Sequence, residues 1–219
     1  MNDSPNSLNR KILDFFKQKN LLGGFFIEAG AANGIWQSNS ILLEKELFWN
    51  GLLVEPNKIM YEECLKNRPN CLVENVALVD NSFDKKTVQL FTSDHDYGLC
   101  LSGKINYKND ENLSQKDVEF DLKKGAKWVT VATDTLSNIL EKNNIKRKID
   151  FFSLDVEGVE LIVLEGLNLA INRPRYILLE LSNDHKKELS IEYLKNKNYT
   201  LIEKMTTNDF LFRENMRME

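Results

Sequence analysis

The chain has 219 residues, 42% of them hydrophobic and 28% charged, with a formal net charge of −4. That composition excludes wholesale disorder and fits one globular domain large enough to bury a core of its own. Its lysines are scattered, with small clusters only at Lys123-Lys124 and Lys146-Arg147-Lys148, so nucleic acid is not an expected partner.

Met1 to Asn9 is polar and holds Pro5, with no apolar run long enough for a signal peptide or a membrane span. Leu8 to Gln18 then sets Leu8, Ile12, Leu13, Phe15 and Phe16 at helical spacing, which predicts a leading helix laid on the body and covering one edge of the site. Phe25 to Ala29 is short, aromatic and apolar, as suits an interior parallel strand, and Gly30 to Gly34 follows it as a small-residue turn. Ser38 or Asn39 is expected to cap a helix to about Trp49, ended by Asn50-Gly51. Leu52 to Val54 reads as a second strand closed by Glu55-Pro56, Asn57 as the cap of a third helix to about Asn67, and Cys71 to Glu74 as a third strand continuing toward Leu78. Cys64, Cys71 and Cys100 contain no Cys-x-x-Cys pair, which argues against a disulfide framework or zinc and for a reducing cytoplasm.

Lys86 to Thr92 and Lys127 to Thr133 alternate as strands do, and the polar stretch from Ser93 to about Lys127 is too long for a plain connection; it reads as a lid or substrate loop. A helix over Thr135 to Asn143, a strand over Ile149 to Leu154, an apolar helix reaching Leu169 and a strand over Tyr176 to Leu181 follow. Ile191 to Asn196 reads as helix, and Tyr199 to Lys204 with Asp209 to Arg213 as two closing strands. Strand and helix alternate through the first half, which predicts a parallel α/β sheet with right-handed crossovers.

In such a sheet ligands bind beyond the carboxyl ends of the strands, near the point where strand order reverses. Four carboxylates fall at predicted strand ends: Glu28, Glu55, Asp155 and Glu180. A dinucleotide site wants Gly-x-Gly-x-x-Gly, but counting from Gly30 the other two places are Ala32 and Ile35. A ligand without phosphates fits better, and S-adenosylmethionine is one, its cationic ammonium and sulfonium suiting a strand-end carboxylate such as Glu28. Glu55 is placed to accept both ribose hydroxyls, as the acidic residue of the nucleotide-binding version of this architecture does. Asn75-Val76-Ala77 is placed to flank the adenine, and Asp155 to face the reactive end, with Gly158 permitting close backbone approach. Glu157 and Glu160 lie in the first turns of a helix whose dipole favours negative charge.

These residues together resemble the FkbM-type S-adenosylmethionine-dependent methyltransferases. The resemblance is carried by Phe26 to Gly34, Val54-Glu55-Pro56, Asn75 to Leu78, Ile149 to Glu160 with Val163-Leu164-Glu165-Gly166, Ile177 to Glu180 and Asn208 to Phe212. Its most specific element is Leu154-Asp155-Val156-Glu157-Gly158-x-Glu160 followed by Leu164-Glu165-Gly166; Glu28 stands where aspartate is commoner, and Ser93 to Lys127 has no match. It implies one Rossmann-like, seven-stranded class I methyltransferase unit over residues 1–219, its mostly parallel sheet closed by an antiparallel strand. It also implies S-adenosylmethionine bound by Glu28, Gly30, Ala31, Asn33, Gly34, Glu55, Pro56, Asn75, Val76, Ala77 and Asp155, and O-methylation of a sugar or other hydroxyl-bearing metabolite.

A hydroxyl acceptor must lose a proton, and His185 just after the fifth strand is favoured over His95 as the base, with Asp155 its rival and Glu180 orienting the acceptor. Asp155, Glu180 and Asp184 are hard oxygen ligands of the type Mg²⁺ or Ca²⁺ uses, but no spacing matches a dedicated cage, so no metal is expected. Two other readings stand beside this one: a catalytically silent module that keeps the fold, and a nucleotide-sugar or NAD enzyme, weakened by the missing glycines.

Overall fold

The computed structural model describes residues 7–92, 104–106, 127–181 and 184–215, with the backbone alone for 104–106 and 184–186. In chain order the elements are α1 (Leu8–Gln18), β1 (Phe25–Ala29), α2 (Ile41–Leu47), β2 (Asn50–Val54), α3 (Lys58–Asn67), β3 (Leu72–Glu74), β4 (Ala77–Leu78), β5 (Thr87–Thr92) and β6 (Lys104–Asn106). After them come β7 (Lys127–Asp134), α4 (Leu136–Lys142), β8 (Phe151–Leu154), α5 (Glu160–Glu165), β9 (Tyr176–Glu180), α6 (Asp184–Asn196), β10 (Tyr199–Lys204) and β11 (Asp209–Glu214).

Seven strands form the main sheet in the order β10-β11-β9-β8-β1-β2-β3. β3, β2, β1, β8 and β9 run parallel, and β11 pairs antiparallel with both β9 and β10. The chain therefore winds outward from β1 to β3 and returns to lay β8 against the other side of β1. The order reverses between β1 and β8, which is where a sheet of this kind opens a crevice at its carboxyl edge.

Alternation along the strands sorts their side chains into two apolar layers. Phe26, Leu53, Phe151, Leu178 and Leu211 face α1 and α2, where Phe16 packs its ring 4.8 Å from Trp49 and 5.4 Å from Phe151. Ile27, Val54, Phe152, Leu179 and Phe212 face the other way, onto Ile139 of α4, Leu164 of α5 and Leu194 of α6. The leading helix thus covers one face of the sheet, as its apolar spacing predicts.

Several expected boundaries move, each for a local reason. The start of α2 moves to Ile41, whose N–H the Ser38 hydroxyl oxygen accepts at 3.1 Å while its O–H donates to Glu28; the Asn39 amide turns instead to Ser153, and Phe48 in the left-handed region ends the helix. Asn50 and Gly51 open β2 rather than closing a helix, with Gly51 set so tightly against Phe26 that a Cβ would come within 2.4 Å of its ring. The third strand does not run on to Leu78: it stops at Glu74, and Ala77–Leu78 joins a second sheet of order β4-β7-β5-β6. α5 stops at Glu165, where a Cβ on Gly166 would come within 2.1 Å of the Val79 carbonyl. Within the expected substrate loop only 104–106 is described, as a strand antiparallel to β5, and the rest lies outside the described residues.

Candidate active site

The turn after β1 is pinned from both sides. Gly30 and Ala31 donate backbone N–H bonds to the Val54 carbonyl of β2, at 3.0 and 3.3 Å, and Asp155 donates its N–H to the Ala29 carbonyl at 3.1 Å. Gly30 has φ +82°, and a Cβ there would come within 1.7 Å of the Asp155 carbonyl oxygen. Only glycine lets the ends of β1 and β8 approach so closely. Gly34, also at positive φ, is needed against the protein as well, since a Cβ would meet Arg68 Cγ at 2.8 Å. Asn33 shapes its own turn by accepting the N–H groups of Ile35 and Trp36 at 3.0 and 2.8 Å.

Glu28 is buried, and the chain itself occupies both of its carboxylate oxygens. Ser38 and Ser40 donate hydroxyls to Oε2 at 2.9 and 2.5 Å, and the Asn39 N–H donates to Oε1 at 2.6 Å. The Arg68 guanidinium lies 3.9 Å away. Arg68 is the buried hub of this loop: it also bonds Glu44, the Gly34 carbonyl at 2.9 Å, and the Ser38 and Ser40 hydroxyls at 3.2 and 3.0 Å. The available signal was charge balance, because two acidic residues on elements that become buried, Glu28 and Glu44, require a cation.

Glu55 closes β2 and is also buried, its oxygens accepting the N–H groups of Ala32 at 2.9 Å and Asn57 at 2.8 Å. Burial pushes its carboxyl up to about 7, against the pull of those two bonds. Asn75 fixes the corner beneath it, its amide donating to the carbonyls of Glu55 at 2.8 Å and Pro56 at 2.9 Å; Val76 and Ala77 follow, both buried.

Asp155 and Glu180 stand side by side, because the β8–β9 register pairs Leu154 with Leu179 and each carboxylate is the next residue. Burial first, then the adjoining Glu180 carboxyl and the charges of Glu157 and Glu160, push the Asp155 carboxyl well above the usual carboxylate range. Asp209 is the cross-strand partner of Glu180 and accepts the Thr206 hydroxyl. Glu160 is buried at the start of α5 and accepts the Gly158 N–H at 2.8 Å. His185 lies in the first turn of α6, with its side chain outside the described residues, as is all of His95. Among the described residues no three His, Cys, Asp or Glu side chains converge to hold a metal.

The sequence matches the family model described as Methyltransferase FkbM domain over residues 28–212. The chain belongs to the FkbM methyltransferase family. No curated protein matches it in sequence. Among solved structures, a human methyltransferase 10 domain containing protein superposes with TM-score 0.50 at 13% identity, over 94% of this chain and 80% of that one. The METTL16 MTase domain gives 0.49 at 14% over 93% and 64%, and M. capricolum TrmK in complex with S-adenosyl-homocysteine gives 0.40 at 9% over 94% and 65%. The first of these shows the fold, a class I methyltransferase sheet.

An FkbM methyltransferase takes its methyl group from S-adenosylmethionine, and the donor set here suits that cofactor. The carboxyl edge offers carboxyl groups at Glu55, Asp155 and Glu180, while the glycine positions of a pyrophosphate-binding turn are absent. A cleft of about 620 Å³, lined by Ser137, Asn168, Arg173 and Tyr193, lies away from these strand ends. Arg173 there donates to the carbonyls of Lys197 and Asn198, and Tyr193 to that of Leu164.

Proposed function

We propose that this FkbM methyltransferase transfers a methyl group to a hydroxyl of a carbohydrate or related small metabolite. The observation that carries the reading is the Asp155–Glu180 pair, set abreast at the ends of β8 and β9 against the β1 turn. A carboxyl pair accepts hydrogen bonds from hydroxyls and can take the proton a hydroxyl must lose.

The bound cofactor supplies an electrophilic methyl on a sulfonium. The chain supplies alignment, the main requirement of an in-line displacement. Glu55 accepts the ribose hydroxyls, since each of its oxygens has one backbone N–H and a further lone pair. The backbone of Gly30, Ala31, Asn33 and Gly34 lines the floor, and Pro56, Asn75, Val76 and Ala77 form the adenine side. Glu28 acts beneath that floor: with both oxygens bonded to Ser38, Asn39 and Ser40 it holds the turn in shape. Asp155 takes the acceptor proton with Glu180 orienting the acceptor, and His185, from the start of α6, is the alternative base. The two described cysteines, Cys64 and Cys71, are free thiols, which suits a cytoplasmic enzyme.

The test is calorimetry with S-adenosylmethionine and S-adenosylhomocysteine, followed by methyl transfer to a panel of neutral glycans. Glu55→Ala is expected to weaken cofactor binding at least about tenfold, the effect of losing one or more buried hydrogen bonds to the ligand. Asp155→Asn is expected to keep S-adenosylhomocysteine binding and lose transfer. Unchanged affinity in the first variant removes Glu55 from the cofactor site; cofactor binding without transfer to any hydroxyl leaves a silent module.

A further inference from the structure

Two neighbouring carboxyl groups ionise together only against charge repulsion, so one of them keeps a proton. Asp155 and Glu180 stand abreast at the ends of adjacent parallel strands, each one residue beyond the paired Leu154 and Leu179. The arrangement is enforced by the backbone: the β8–β9 register puts the residues abreast, and the contact between Gly30 and the Asp155 carbonyl presses this strand end against the turn assigned to the cofactor. Other acids surround the pair. Glu157 and Glu160 face Asp155 from the approach to α5, and Asp209 faces Glu180 from β11. Among the described residues, Lys11 of α1 is a cation whose charge acts on Asp209, its ammonium donating to the Met205 carbonyl at 2.8 Å, while Lys187 and Lys204 lie over the ring of the next residue, Phe210, at 4.5 and 5.5 Å. The side chains of residues 184–186, at the start of α6, lie outside the described residues. Full ionisation would therefore place two half-buried anions together among like charges, and the pair keeps one proton until a cation arrives.

We propose that Asp155 and Glu180 act as a single proton-sharing unit, which gives up its proton to solvent when a sulfonium is seated beside it and recovers one from the acceptor hydroxyl during transfer. The proposal rests on the cofactor and acceptor reading above. Its balance is simple. The acceptor O–H bond breaks and its oxygen forms the new O–CH₃ bond; the electrons of the S–CH₃ bond stay on sulfur, which becomes a neutral thioether; the proton passes to the carboxyl pair. The site carries one net negative charge from pair and sulfur together before transfer, and one after. The product thioether has no charge with which to drive the proton out again, so the pair distinguishes substrate from product cofactor by charge alone.

The experiment is calorimetric titration of the full chain with S-adenosylmethionine and with S-adenosylhomocysteine, in two buffers of different ionisation enthalpy, at pH 6 and pH 8. At the lower pH about one proton is expected to leave per sulfonium ligand bound, and distinctly fewer per thioether ligand. The preference for the sulfonium is expected to rise with pH, by up to about tenfold per unit through the titration of the pair. Glu180→Gln, close in shape, is expected to bind both ligands and lose the extra proton release. Equal proton release by the two ligands with a flat affinity ratio overturns the proposal and leaves the cofactor reading intact. Undiminished release in Glu180→Gln also overturns it, by assigning the proton to another group. Failure of both ligands to bind the unaltered protein overturns the cofactor reading and the proposal with it.

Discussion

Arg68 shows how much of this site is buried support. Its guanidinium is almost fully enclosed between Glu28 and Glu44 and reaches the loop carbonyl of Gly34, so removing it leaves buried carboxylates without a counter-ion. Arg68→Met is expected to cost about 3–5 kcal/mol in urea denaturation, the usual loss when one partner of a buried pair is deleted. Arg68→Lys is expected to recover little, because one ammonium cannot meet Glu44, Gly34 and two serine hydroxyls in their separate directions. Glu55 makes the complementary case of a buried acid with no cation bonded to it among the described residues. Its carboxyl holds a proton up to about 7 in the folded protein against a reference value of 4.5. The folded state thus binds more protons than the unfolded one in that window, and the stability Glu55 contributes at low pH is lost as pH rises through it. The loss is expected to reach about 3 kcal/mol by pH 8 at roughly 1.4 kcal/mol per unit. Denaturation midpoints measured from pH 4 to pH 8 check this, with a flatter profile expected for Glu55→Ala.

At the scale of elements, α3 and the corner before it behave as one unit. Asn57 accepts the N–H groups of Ile59 and Met60 as the cap of α3, while its amide donates to the Thr92 hydroxyl at 2.5 Å and ties β5 to the same corner. Asn57→Ala is expected to cost about 1–2 kcal/mol in urea denaturation, and Asn57→Asp, which keeps the acceptor and loses the amide donor, to recover most of it. The cap was legible because it needs one short polar side chain and the two amides just beyond it. The start of α2 was only half legible, because Ser38 and Asn39 are equally good caps by type and only the fold decides between them, Ser38 accepting the Ile41 N–H and the Asn39 amide turning to Ser153. The break between β3 and β4 has the same origin: Asn75 turns the chain by binding the Glu55 and Pro56 carbonyls, twenty and nineteen residues back.

Across the whole molecule, strand order does most of the functional work. Returning β8 to the free side of β1 brings Asp155 to the turn at Gly30, and pairing β9 with β8 and β11 adds Glu180 and Asp209 to the same edge. Glu55 joins from the opposite flank through β2. Residues from four strands, separated by more than a hundred positions in the chain, thus meet along one rim. The second sheet, β4-β7-β5-β6, was not foreseen in the sequence, since its strands read equally well as extensions of the main one.

What the sequence determined by itself was the set of parts: the alternation of strand and helix, the carboxylates at strand ends, the tight turn at Gly30 and the family motif around Asp155. These follow from short-range rules of periodicity, capping and backbone freedom, which act within a few residues. The tertiary structure alone decided the partners. It bonded Glu28 into its own loop rather than leaving its oxygens open, buried Arg68 as that loop's counter-ion, and set the carboxylates of Asp155 and Glu180 abreast at the ends of two strands. Such pairings depend on burial and on long-range register, because the charge state of a carboxyl is set by its neighbours in space rather than by those along the chain.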